Sequence, residues 1–520
     1  MKNIIIILLL STVLLSAKDN IKNYSDLKDY TPLDFGAKGD GKNDDSQALI
    51  KALEFISKTN SKQLLIPNDY VFNLGNKTID FRKISSGIIL DFDGGYIKNG
   101  ALIGYNTKIK AERIKIFENV KLSEVFLSAS DHAYPEWFGA FPNNNQIDVV
   151  DALKQLDPVF FDISLGTGDY YTTKGEYQVR GLSGVSMAKS RLIMETDKSN
   201  TYLLSMGKIG GTVKERTYDY NYVKNLSLFI TKKNPNSKLK SNKGIIIGAV
   251  HKPLIENVRI QQALDYQIFS KSDLYDFTKG EKKVSEANIG IEFNGDSEVT
   301  RMTNIFTLSD IGIMFSKYTD FVNVTDFMSW CGKFGLANVY FRKEAVQSQN
   351  LLFTGSQSWN QGLYGLYSED SYEWNTFRNN KFENVRIEQL TSEILKDGKV
   401  VSTSIRIGKS NLIAQLMFEN IILSGASNGI EIGETTSGDI YFDNVILYPD
   451  VTIKRAFAIK SKFLKPSTSK YENPFRMHLK NINLPDDVES YFENTKTLYE
   501  RENSRISGKN IFTDEIITYE

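Results

Sequence analysis

An asparagine followed by an apolar residue recurs through residues 225–482, as at Asn225-Leu226, Asn257-Val258, Asn304-Ile305, Asn323-Val324, Asn350-Leu351, Asn384-Val385, Asn420-Ile421, Asn444-Val445 and Asn481-Ile482. The steps between them run from 19 to 47 residues. A repeat of that period signifies a solenoid, in which each unit buries its apolar face only against its neighbours. The first and third residues after the asparagine are usually apolar, as in Leu226/Leu228, Val258/Ile260, Val385/Ile387 and Ile421/Leu423. That is the alternation of a strand whose every second side chain points into a core. Asparagine tolerates the left-handed conformation and bonds to neighbouring backbone, so it suits the bend between two strands. Glycine before Ile or Leu marks another strand in many units, among them Gly244-Ile245, Gly290-Ile291, Gly312-Ile313, Gly335-Leu336, Gly365-Leu366 and Gly429-Ile430. Short strands joined by bends and stacked unit on unit predict an all-β parallel β-helix, with the irregular spacings measuring loops inserted between strands.

Near the N-terminus, residues 30–52 read YTPLDFGAKGDGKNDDSQALIKA. They predict a short strand over residues 31–35, a turn at Gly36, Gly39 and Gly41, and a helix capped by the Asp44-Asp45 pair. Ala48, Leu49, Ala52, Leu53 and Ile56 fall on one face of that helix. The phrase partly returns as Ala133-Tyr134-Pro135-Glu136-Trp137-Phe138-Gly139-Ala140, followed by Asp151-Ala152-Leu153 and Gly168-Asp169-Tyr170. This is a cap-like unit used twice. The two phrases DFGAKGDGKNDDSQA and PEWFGA resemble those of the pectin-lyase-like superfamily, which takes in pectate lyases, polygalacturonases and phage tailspikes. The resemblance implies a right-handed parallel β-helix, a carbohydrate ligand and a groove along one outer face. It supplies no catalytic residues. The Gly-His-Gly and Asn-Thr-Asp phrases of polygalacturonases are absent, and the one Arg-Ile-Lys, residues 113–115, lies too early in the chain.

The expected organisation is a signal peptide over residues 1–17, an N-terminal cap and first coils over 18–130, and the main β-helix over 131–484. A C-terminal cap and tail then fill 485–520, with a short helix over 488–499 begun by Pro485-Asp486-Asp487. The apolar run 4–15 follows Lys2 and ends at Leu15-Ser16-Ala17, which reads as a secretory signal and is too short to span a bilayer. The chain is therefore expected to be secreted or periplasmic. Its 63 basic and 63 acidic side chains leave no basic footprint for nucleic acid. Cys331 is the only cysteine, so no internal disulfide forms.

Candidate chemistry falls in residues 290–390. Trp330, Trp359 and Trp374, with Arg378, are candidate sugar-binding residues, since sugar rings stack on aromatic faces. If Val385 and Ile387 point inward, Arg386 and Glu388 point outward together, as a catalytic pair or as a surface ion pair. The outward neighbours expected on adjacent coils are Leu352 and Thr354 before, Ile422 and Ser424 after, so a second carboxylate would come from Glu369, Asp370 or Glu373. Asp326, third after Asn323, is either a buried carboxylate or the mark of a register shift that turns Phe327 inward. A lyase needs a base and a cation for the developing enolate, for which His132, His251 and His478 are the available histidines. A hydrolase needs two carboxyl groups. No cofactor is implied; Asp91-Phe92-Asp93 is the one calcium candidate. Together these features indicate a polysaccharide-active β-helix protein that cleaves a glycan as lyase or glycosidase, or else a non-catalytic carbohydrate-binding or surface-structural β-helix.

Overall fold

The computed structural model describes residues 29–482 apart from internal stretches, the longest being 263–283, 389–401 and 460–474, together with short strands between 489 and 519. The chain forms two compact units, one of residues 1–139 and 154–161, the other of residues 140–153 and 162–520.

In the first unit a six-stranded sheet is built from parallel pairs, such as Gln63–Pro67 with Ile89–Asp93 and Val71–Asp80 with Tyr96–Ala111. The helix Ser46–Ile56 buries Leu49, Ala52, Leu53 and Ile56, the face expected from their spacing. The expected strand over residues 31–35 is instead a 3-10 helix, Pro32–Phe35. Pro32 presets its first turn, the Asp34 carboxylate accepts the Thr31 N–H at 2.9 Å, and Gly36 closes it at φ 93°. The same turn recurs at Pro135–Phe138, closed by Gly139 at φ 84°, so the repeated phrase is a repeated local structure. The two aspartates divide their work. Asp44 accepts the Ser46 N–H at 3.0 Å at the helix start, whereas Asp45 reaches back to the Lys38 N–H at 2.6 Å and holds the glycine turn.

The second unit is a right-handed parallel β-helix, the hand that parallel crossovers take. Successive coils pair strand on strand, for example Leu254–Gln262 with Arg301–Leu308, and that strand with Asn323–Phe341. Asn225, Asn257, Asn304, Asn384, Asn420, Asn444 and Asn481 all have φ between 52° and 58° and stand at equivalent bends. Their side chains bond along the column: Asn257 Nδ2 to Asn225 Oδ1 at 2.9 Å, Asn304 to Asn257 at 2.8 Å, Asn420 to Asn384 at 3.0 Å, Asn444 to Asn420 at 2.8 Å. The remaining two asparagines of the repeat do not belong to this column. Asn350, at φ 54°, marks a different bend, which it shares with Asn379, and Asn323 lies three residues ahead of the true bend residue, Asp326. Asp326 (φ 55°) and Gly355 (φ 72°) therefore stand where other coils have asparagine.

Phe327 then points inward, as the shifted register requires, and the Asp326 carboxylate accepts the Ser356 N–H at 2.7 Å. The register slips by one residue at Gly355 and Ser356, a bulge that gives the strand Leu352–Ser368 one extra residue. Inside, phenylalanines stack from coil to coil: Phe293 on Phe315 and Phe315 on Phe341 at 4.7 Å, and Phe353, Phe382, Phe418 and Phe442 at 4.9 to 5.2 Å. The expected C-terminal helix over 488–499 is replaced by strands. Glu489–Phe492 pairs with Arg455–Ile459, and Leu498–Glu502 with Phe475–Lys480. The open edge of the last coil offers unpaired backbone groups, and this local helical pattern yields to them.

An inner asparagine of the ladder supplies both a backbone conformation and two side-chain bonds. Asn257→Gly keeps the first and loses the second; Asn257→Ala loses both. The expected outcome in urea unfolding is a loss of roughly 1 kcal/mol for glycine and about 1–2 kcal/mol more for alanine, and equal losses would show that the bend conformation carries no energy.

Candidate functional site

Alternation past the asparagine bend turns two columns of side chains outward on one sheet. One runs Arg259, Phe306, Met328, Ser358, Arg386, Ile422, and the other Gln261, Leu308, Trp330, Asn360, Glu388, Ser424. Three residues expected at the site, Trp330, Arg386 and Glu388, thus share one face. Trp330 is 41% exposed, and its ring lies 6.4 Å from that of Phe306. The Arg259 guanidinium sits 5.2 Å over Phe306 and 5.9 Å from Phe229, and donates to Gln261 Oε1 at 2.8 Å. Asn360 donates to Ser358 at 3.0 Å. Arg386 and Glu388 stand 3.4 Å apart with side chains 62% and 54% exposed. The preceding rung carries Ser358 and Asn360, not the expected Leu352 and Thr354, because Asn350 marks a different bend and counting from it misplaces the rung. Neither residue in register with Glu388 on the flanking rungs, Asn360 or Ser424, is a carboxylate.

Other expected residues lie elsewhere. Trp359 is fully buried, packed edge-on against Phe353 and Phe382 at 6.0 Å each, and belongs to the core. Trp330 and Trp359 differ in this way because Trp330 pairs with Asn360, one place further on. Asp326 is exposed and engaged at the bend. Arg378 is exposed at the end of a separate column, Glu298, Asp320, Gln349, Arg378. There Glu298 meets Arg216 at 2.6 Å and His251 at 3.4 Å, while buried Asp320 accepts from Tyr318, Gln349 and Asn350 at 2.8 to 3.1 Å. Glu373 and Trp374 lie outside the described residues. Glu369 and Asp370 face a different sheet from Glu388 and do not complete its site. His478 stacks on Tyr441 and meets Asp439 at 3.0 Å. Cys331 is buried, and burial pushes its thiol pKa up, against a nucleophilic role. Asp91 is held by Lys110 at 2.7 Å and Gln63 at 2.8 Å, and among the described residues no group of three His, Cys, Asp or Glu could hold a metal. Among the same residues no helix is long and apolar enough to cross a membrane.

Sequence reasoning missed a further outward column, Met314, Tyr340, Tyr367, Arg406 and Glu431, each in register with the next. The Tyr340 and Tyr367 rings stack at 5.0 Å, and Tyr364 lies 4.5 Å from Tyr367. The Tyr340 hydroxyl donates to Glu369 at 2.5 Å, and burial with that carboxylate raises its pKa far above normal. Burial lifts Tyr364 to about 12. Arg406 lies 4.8 Å over the Tyr367 ring, donates to the Ser368 carbonyl at 3.2 Å, and stands 3.6 Å from both Asp370 and Glu431. One end of the column is sealed, since Met314 and Tyr340 pack with Ala287, Ile289, Ile311, Leu336 and Ala337. The other end is open. The sequence carries only part of a signal: glycine stands two residues before Met314, Tyr367 and Glu431, but Asn338 and Ser404 take that place before Tyr340 and Arg406.

No family model and no curated protein matches the chain. Solved structures similar to it include the A-module of a mannuronan C-5 epimerase from Azotobacter vinelandii, at 10% identity over 94% of this chain and 98% of that one, TM-score 0.31. Others are a family 28 exopolygalacturonase from Yersinia enterocolitica (13%, 93% and 79%, TM-score 0.26) and a tailspike protein of an E. coli bacteriophage (9%, 94% and 78%, TM-score 0.28). The β-helix assignment itself rests on the parallel strand pairing.

One buried carboxylate offers a test of the scaffold beside these faces. Asn242 Oδ1 accepts the Thr201 N–H at 3.2 Å, Asn288 Oδ1 the Asn242 N–H at 3.1 Å, and Asp310 Oδ2 the Asn288 N–H at 2.8 Å. Asp310 thus ends an internal asparagine ladder as an acid. Burial raises its pKa to about 6, although the Asn288 N–H pulls it down. The fold favours the neutral form, so Asp310 is harmless below about pH 4 and its ionisation removes up to roughly 3 kcal/mol as pH rises to about 6. Asp310→Asn is expected to raise the unfolding temperature at pH 7.5 and to lose that advantage below pH 4. An equal shift at both pH values would show that the Asp310 charge is not what destabilises.

Proposed function

We propose that this chain is an exported, polysaccharide-active β-helix protein that holds a glycan along the face from Phe229 to Glu388 and cleaves it. One observation carries the reading: Arg259, Phe306 and Trp330 form a continuous cation and aromatic row on a solvent-facing sheet. An exposed Trp beside Phe, with Arg, Asn, Ser and Glu at hand, matches sugars, which present apolar ring faces and polar rims. From Phe229 to Glu388 the face crosses five rungs at about 4.8 Å each, a length that several sugar units span. The solved structures named above include glycan-acting enzymes and support the same ligand class. Cleavage at this face would run through Arg386 and Glu388, which offer one base and one cation, the minimum for β-elimination.

A specific observation favours a second reading, glycan binding without cleavage. Glu388 has no second carboxylate on its flanking rungs and is paired with Arg386. Incubation with uronate-containing and neutral polysaccharides separates the readings. Unsaturated ends mark a lyase, reducing ends alone a hydrolase, and binding with neither product supports the second reading. Trp330→Ala is expected to weaken glycan binding about 10-fold or more, near 1.4 kcal/mol, without changing the unfolding temperature; unaltered binding would remove this face from the site.

A further inference from the structure

The sheet face that carries Trp330 continues two rungs beyond Glu388. Ser424 is in register with Glu388, and Leu423 with Leu447, so Tyr448 follows Ser424 on the same outward line. The Tyr448 N–H donates to the Leu423 carbonyl at 2.9 Å, which carries the ladder up to it. The line therefore runs Trp330, Asn360, Glu388, Ser424, Tyr448, one residue to a rung. Glu388 is its midpoint, two rungs or roughly 10 Å from each aromatic residue.

Tyr448 differs from the other tyrosines of the β-helix in how little holds it. The hydroxyls of Tyr222, Tyr318 and Tyr340 donate to Asp162, Asp320 and Glu369. Among the described residues no ring contact and no hydrogen bond takes up the Tyr448 side chain, which is 57% exposed. Ile422 and Ile446 turn outward beside it and are half-buried, as Phe306 is beside Trp330. Each end of the line thus offers an open aromatic ring on apolar support, and Asn360 and Ser424 between them offer hydrogen bonds to sugar hydroxyls. We infer that Tyr448 is a second stacking platform of the glycan face, and that the site takes an internal stretch of polysaccharide with Arg386 and Glu388 at its middle. This rests on the polysaccharide reading above and adds a length requirement to it. In an extended chain each sugar advances by about one rung, so about five units reach both rings, and two or three reach only one. Once one ring is engaged, the contact with the other is made within the same complex, so affinity climbs steeply at the length that spans both.

The test measures binding of galacturonate, mannuronate and β-1,4-linked glucose oligomers, from two to six units long, to the full chain and to Y448A, Y448W and W330A, with thermal unfolding of each. Affinity of the unaltered chain is expected to rise up to a length of about five units. Y448A is expected to weaken binding of the five- and six-unit oligomers about 5-fold or more, with the two- and three-unit oligomers and the unfolding temperature unchanged. Y448W, which keeps a ring at the position, is expected to restore the loss. Equal affinity of Y448A and the unaltered chain for six units overturns the second platform, as does a loss that Y448W fails to restore or an affinity that does not depend on length. In each of these cases weaker binding by W330A leaves the polysaccharide reading standing. No binding of any oligomer by the unaltered chain overturns both.

Discussion

The backbone ladder between parallel coils, and the left-handed bend that lets each coil turn back onto it, govern everything else in the second unit. A parallel strand cannot return by a tight hairpin; it must be carried round. Here the turn is made by single residues in the left-handed region, asparagine in seven coils and Asp326 or Gly355 in two more. An L-residue in that region is strained unless its side chain bonds locally. The asparagine column meets this by bonding coil to coil, so the conformation that closes one turn also registers the next. Register, once fixed, decides which side chains stack inside as phenylalanine columns and which stand outside as columns of functional groups.

The outer columns gather residues that are distant in sequence. Tyr340, Tyr367, Arg406 and Glu431 are separated by 25 to 39 residues and yet occupy one line. At one end of that line Met314 and Tyr340 are buried, with Tyr364 and Tyr367 packed against them, and at the other a guanidinium meets two carboxylates. The Trp330 face is more exposed, with Trp330 itself 41% open to solvent.

Much of the scaffold was legible in the sequence because its signals are local. Helix 46–56, the recurrence of the phrase that ends at Gly36 and Gly139, the asparagine bends and the outward pairing of Arg386 with Glu388 all follow from residues within a few places of one another. What was not legible depends on contacts across coils. Asn323 imitates a bend residue, and only the pairing of Asn304 with Asp326 reveals the true frame. The extra residue at Gly355 and Ser356 reverses the parity downstream, which sends Trp359 inward while Trp330 stays out. The C-terminal segment reads as a helix in isolation and becomes strand because a free sheet edge lies beside it. The Arg406 column was invisible because loop lengths, not a fixed period, set its spacing.

The bulge at Gly355 and Ser356 also bears on how such a chain tolerates change. Inside a strand, one added residue re-aims the side chains beyond it, as the opposite fates of Trp330 and Trp359 show. Between strands, a far longer addition only lengthens a loop and leaves the columns aligned; the Asn257 to Asn304 step holds 47 residues, and the two side chains still bond at 2.8 Å. Sensitivity to insertion is thus inverted with respect to size. Long segments, even whole binding loops, can be grafted at the bends of this protein, whereas a single residue in a strand is enough to redraw its outer surface.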